Sequence, residues 1–109
     1  MITREDIQQA QQSWADALIA VGASPSWDAA HALATEMVKQ HYHWGPNPVL
    51  FCPTRAADQQ FRSTVESAVS YFVGGNTIHP EDHGFALQPW VSVRFENTEV
   101  VCLDAMGLA

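Results

Sequence analysis

Gly45-Pro46-Asn47-Pro48 is the segment that most restricts the fold, because proline removes an amide donor and turns the residue before it away from helix. No helix passes through it, so the chain on either side must form separate elements. Before the break, apolar residues recur at helical spacing. Thr3 with Asp6 has the form of a capping box, and Ile7, Ala10, Trp14, Leu18 and Val21 follow as one stripe to Gly22. Ser24-Pro25 supplies a second start, and Ala30, Ala34, Met37, Val38 and His41 form a second stripe ending near Tyr42.

After the break the pattern changes. Val49-Leu50-Phe51-Cys52 reads as a short buried strand. Ser63-Thr64-Val65-Glu66 matches a capping box for a third helix with Val65, Ala68, Val69 and Phe72 on its apolar face, and Gly74-Gly75-Asn76 ends it. From Phe85 to Phe95 the odd positions Phe85, Leu87, Val91, Val93 and Phe95 are apolar, whereas Gln88, Ser92 and Arg94 are polar, which predicts a half-buried strand. Asn97-Thr98 then provides a turn into a return strand from Val100 to Met106. The expected fold class is α+β: three helices packed on one face of a curved, mainly antiparallel sheet, in a single domain of 109 residues.

Charge and cysteine content narrow the function. Twelve acidic against five basic side chains give a net charge of -7, which repels phosphates and argues against nucleic acid or an anionic membrane as partner. The longest apolar stretch, Ala17 to Ala23, is far short of the ~20 residues of a membrane span. The start is polar and carries no export signal, so a cytoplasmic location is expected. Cys52 and Cys102 both sit in apolar runs and are expected as buried free thiols. The pairs His41-x-His43 and His79-Pro-Glu-Asp-His83 have no third ligand in sequence, so no metal and no cofactor are expected.

The order of elements resembles the cone-shaped fold of nuclear transport factor 2, ketosteroid isomerase, scytalone dehydratase and small polyketide cyclases. The segments VLFCPTRA (Val49–Ala56), QFRST (Gln60–Thr64), AVSYFVGGN (Ala68–Asn76), HPEDHGFALQPWVSVRFEN (His79–Asn97) and AMG (Ala105–Gly107) are similar to those of an uncharacterised bacterial family within that nuclear transport factor 2-like superfamily. Some of its members carry the label phosphoribosyl-AMP cyclohydrolase. That enzyme relies on a cysteine-rich zinc site and an aspartate-rich magnesium site, whereas this chain has two distant cysteines and no Asp-x-Asp-x-Asp. The family continues beyond its AMG segment into further strands, so the cone is expected to lack its closing strands.

The resemblance implies a pocket between the concave sheet face and the helices, with an acid–base residue on an apolar wall. A two-residue turn at Asn97-Thr98 would pair Phe95 with Val100, Val93 with Cys102 and Val91 with Asp104, bringing Asp104 inward as a general base; a three-residue loop would turn it outward. Asp82 and His83, beside Glu81, are the other acid–base candidates, although Pro80 to Gly84 is also ordinary turn chemistry. Trp14, His41, Tyr42, Tyr71 and Phe72 are the expected pocket lining. Arg62 and Arg94 either bind a carboxylate or pair with the surplus of acidic side chains. Gln88, Trp90, Ser92 and Arg94 would project from the opposite, convex face and form a homodimer interface. The functional expectation is a domain binding a small hydrophobic ligand, with isomerase, dehydratase or cyclase-type activity; the alternative is a non-catalytic dimerisation or association module.

Overall fold

The computed structural model describes residues 1–109. Its elements are α1 (Arg4–Gly22), α2 (Trp27–His41), α3 (Val65–Val73), β1 (Val101–Cys102) and β2 (Gly107–Leu108). The box at Thr3 forms as expected: its hydroxyl accepts from the Asp6 amide at 3.2 Å and its own amide donates to the Asp6 carboxylate at 2.9 Å. The other two starts lie later than the sequence implies. Ser26 rather than Ser24 caps α2, accepting from the Ala29 amide at 3.1 Å. Thr64 rather than Ser63 caps α3, and Ser67 rather than Glu66 closes its box, because the Ser67 hydroxyl reaches back to the Thr64 amide at 3.1 Å.

The helices pack in series, α2 lying between α1 and α3. Leu18, Val21, Met37, Val38, Val69 and Phe72 form the core, and Ala30, Ala34 and Ala68 let the helix backbones approach. Gly74 stops α3 at φ +57°, where a Cβ would also lie 2.9 Å from the Asp82 carbonyl oxygen. Gly22 serves a close approach instead: a Cβ there would meet the Ala86 carbonyl oxygen at 2.6 Å.

The curved sheet does not form. Phe85–Leu87 is a 3₁₀ turn with Ala86 buried against the end of α1, and the chain beyond it has no ladder before β1. Alternation alone cannot hold a strand, because each extended amide and carbonyl needs a neighbouring strand. Val49 to Cys52 lacks one too; Phe51 instead stacks on Phe72 with centroids 5.8 Å apart. Trp90 does not project from a convex face. It turns back, its Nε1 donating to the Phe85 carbonyl at 2.8 Å and its ring lying 5.5 Å from that of Phe85.

The sheet that does form is a two-stranded antiparallel ribbon, with Val101 opposite Leu108 and Cys102 opposite Gly107. Neither register expected at Asn97-Thr98 therefore applies. The Asn97 amide instead exchanges two hydrogen bonds of 2.8 Å with Gln11 of α1. Cys52 is exposed and Cys102 half-buried, both free, which corrects the expectation of two buried thiols. No helix is long and apolar enough to cross a membrane.

Candidate functional site

Arg62 is the largest side chain with no solvent exposure, and three segments meet around it. Its Nε donates to the Gln59 carbonyl at 2.8 Å, and Nη1 donates to the Ser67 carbonyl of α3 at 2.9 Å. Its Nη1 and Nη2 grip the two Asp82 carboxylate oxygens at 2.7 and 2.8 Å. The paired geometry offsets the desolvation of both charges. Ser70 Oγ also donates to Asp82 and accepts from Asn76 Nδ2 at 2.6 Å, while Asn76 Oδ1 accepts from the His79 amide at 2.9 Å. Burial pushes the Asp82 carboxyl up, but the Arg62 and Ser70 donors outweigh it and hold the group below its ordinary value.

Glu81 does related work one residue earlier. Its carboxylate accepts from the amides of Ala57 at 2.6 Å, Gln59 at 2.9 Å and Asp58 at 3.1 Å, and these donors hold its carboxyl down at about 2. The turn carrying Glu81, Asp82 and His83 is thereby tied to α3 and to the loop that carries Arg55.

Those three segments enclose a cavity of about 120 Å³, whose walls include Arg55, Tyr71, Asp82, His83, Phe85 and Gln88. Tyr71 is only 8 % exposed and stacks on Phe85 with centroids 5.5 Å apart. Its hydroxyl makes no hydrogen bond within the chain, and since no sealed side-chain oxygen or nitrogen lacks a partner, that oxygen keeps some solvent contact; the residue is one of those lining the cavity. The Arg55 guanidinium lies 5.5 Å from the Phe85 ring centroid, at the edge of the same space. A cation, a free phenol and an imidazole around an aromatic wall can hold one small planar anion and exchange a proton with it.

The residues singled out in sequence are divided among different places. Tyr71, Asp82 and His83 meet at this cavity, but Asp82 is already committed to Arg62 and Ser70. Trp14, His41 and Tyr42 line a separate, shallow depression of about 330 Å³ with Phe95. There Trp14 Nε1 donates to the Tyr42 hydroxyl at 3.3 Å, and burial raises the Tyr42 hydroxyl above its ordinary range despite that bond. His41 Nδ1 donates to the Met37 carbonyl at 2.9 Å, leaving Nε2 to accept from Ser13. Phe72 is core. Asp104 is exposed beyond β1 rather than on an apolar wall, its carbonyl accepting from the Ile2 amide at 3.1 Å. Gln88, Ser92 and Arg94 are exposed without a common sheet face, and Trp90 is half-buried within its own chain. Nowhere do three His, Cys, Asp or Glu side chains converge as a metal centre. Of the two roles open to Arg62, pairing with acidic side chains is the one seen. Sequence reasoning missed Arg55, since nothing local to Thr54-Arg55-Ala56 announces a ring some thirty positions onward.

The chain as a whole has known counterparts. The family described as metal-independent carbonic anhydrase matches residues 5–109, and the chain belongs to that family. A metal-independent carbonic anhydrase of a Nostoc species is 39 % identical over 105 residues, covering 91 % of this chain and 50 % of the relative. The crystal structure of the iota-carbonic anhydrase from a cyanobacterium complexed with bicarbonate superimposes with a TM-score of 0.86 at 36 % identity, covering 92 % of this chain and 63 % of that one. The chain thus spans half the length of the curated relative and less than two thirds of the solved one. These findings overturn the assignment to an uncharacterised nuclear transport factor 2-like family. They equally overturn the expectation of isomerase, dehydratase or cyclase-type activity and that of a non-catalytic module. The ligand of the solved relative is bicarbonate, not a hydrophobic acid.

Proposed function

We propose that this chain takes part in the metal-independent interconversion of carbon dioxide and bicarbonate, with the cavity at Tyr71 as the reacting site. The observation that carries the reading is the Tyr71 hydroxyl, unpartnered on an otherwise buried residue that lines the same space as Arg55. In hydration, a water oxygen bonds to the carbon of carbon dioxide, one C–O π pair becomes a lone pair on oxygen, and the water gives up a proton. The Tyr71 hydroxyl donates to the oxygen that gains charge, and Arg55 stabilises the bicarbonate anion. His83, exposed at the rim, accepts the released proton and passes it to solvent. Asp82 is a positioning residue, since its carboxylate is held by Arg62 and Ser70 rather than left free as a base.

Stopped-flow carbon dioxide hydration by this chain should exceed the buffer rate, and Tyr71→Phe should lower kcat/KM by roughly 10²-fold, the scale of one lost oxyanion donor. A folded chain with no rate above buffer, or a Tyr71→Phe variant at parental rate, would overturn the assignment. Exposed apolar side chains at Val91, Phe95, Leu103, Met106 and Leu108 support association with a second copy. Two free thiols support a cytoplasmic setting.

A further inference from the structure

A second, larger space lies on the other side of the Ser70–Asp82 contact. It is a groove of about 520 Å³ between α2 and α3. Two sequence periods build it. Trp27, His31, Thr35 and Lys39 recur every fourth residue and form a wall along roughly 18 Å of α2. Val65, Val69 and Val73 recur at the same spacing on α3 and form an apolar floor. The helices run antiparallel here, for the Trp27 Nε1 donates to the Val73 carbonyl at the far end of α3 at 3.1 Å. Trp27 and His31 face each other with ring centroids 5.0 Å apart, giving that end of the groove an aromatic edge.

His79 closes the groove. It is 8 % exposed, its backbone amide is used by Asn76, and its imidazole makes no hydrogen bond within the chain. Because no sealed side-chain nitrogen is left unpartnered, the ring nitrogens keep some solvent contact, and the residue is one of those lining the groove. A nine-tenths buried imidazole with a vacant hydrogen bond beside a valine floor is a poor place for bulk water and a good one for a ligand with one polar group. The formal charges along the groove are one cation, Lys39, and one anion, Glu66, so the lining is neutral. The chain as a whole carries -7, which further disfavours an anion.

We infer that the groove between α2 and α3 is a binding site for a small uncharged aromatic molecule carrying one hydroxyl or ring N–H, its ring over Val69 and Val73 and its polar group on the His79 imidazole. The inference is independent of the carbonic anhydrase reading, since no residue proposed for that reaction lines the groove.

The probe is indole, titrated into the ¹⁵N-labelled chain and followed by two-dimensional NMR. Amide shifts should saturate and cluster at His31, Val69, Val73 and His79, and the His79 ring-nitrogen signals should move. His79→Phe should weaken binding at least about ten-fold, the effect of roughly 1.4 kcal/mol of lost hydrogen bonding. Thr35→Trp, which fills the groove from its half-buried wall without entering the core, should abolish it. The same spectra report whether each variant keeps its fold. Shifts centred on Tyr71 and His83 instead, no saturable shift, or binding that survives both substitutions would overturn the proposal. Tighter binding of benzoate than of indole would overturn the uncharged class.

Discussion

Arg62 and the chain from Gln88 to Ala109 represent opposite ways of finishing a small fold. Around Arg62 every charged group has a partner: guanidinium, carboxylate, hydroxyl and amide close on one another with little solvent between them. The C-terminal stretch has a two-residue ribbon, one amide pair from Asn97 to Gln11, and apolar side chains such as Val91 at 91 % exposure. The difference lies in how each region satisfies its backbone. The helices and the Arg62 junction do so internally, which ties together the segments that carry Arg55, Tyr71 and His83. The extended stretch leaves amides, carbonyls and apolar side chains available to another strand.

The strongest way to break this contrast is Arg62→Ala. It leaves the Asp82 carboxylate, whose side chain is 2 % exposed, buried without its cation, and should reduce unfolding free energy by about 3–5 kcal/mol in urea titration at neutral pH. Replacing both partners, Arg62→Met with Asp82→Leu, should cost clearly less than the single change, because no lone charge remains. Equal losses for the single and double variants would mean that the junction works through shape and not through charge.

Acid should act next, chiefly on this side of the molecule, although Asp6 in the α1 capping box is also held below its ordinary value by the Thr3 amide and hydroxyl. Glu81 and Asp82 both have folded-state values below their ordinary 4.5 and 3.8, so their stabilisation is fully present above about 4.5. It is lost as pH falls through that point toward the Glu81 value of about 2. The urea midpoint should therefore fall between about pH 5 and pH 2. The Glu81→Gln variant should start lower and show a flatter slope; an identical slope would remove Glu81 from the account.

The smallest expected effect is at the open side. Val91→Ser should change unfolding free energy by no more than about 0.5 kcal/mol, as its side chain packs on little in its own chain. The same variant should weaken self-association in sedimentation equilibrium. A large stability loss with unchanged mass would show that the extended stretch is part of the core.

What could be read from sequence was what depends on near neighbours. The stripes through Trp14 and Leu18, and through Ala34 and Val38, required helices, and Gly45-Pro46-Asn47-Pro48 required their end, since helical hydrogen bonds close within four residues. Even there the caps of α2 and α3 fell one or two residues from their expected place, because neighbouring serines and threonines compete for the same amides. The alternation from Phe85 to Phe95 was just as plain, yet a strand needs a partner whose presence alternation does not guarantee. Tyr71, Asp82 and His83 could each be named as candidates, but their roles depended on contacts far along the chain. Arg62 claimed Asp82, three loop amides claimed Glu81, and the Tyr71 hydroxyl was left free. Tertiary structure alone decided which polar group was spent on holding the fold and which remained for a ligand, because a buried hydrogen bond is assigned by what else arrives within about 3 Å.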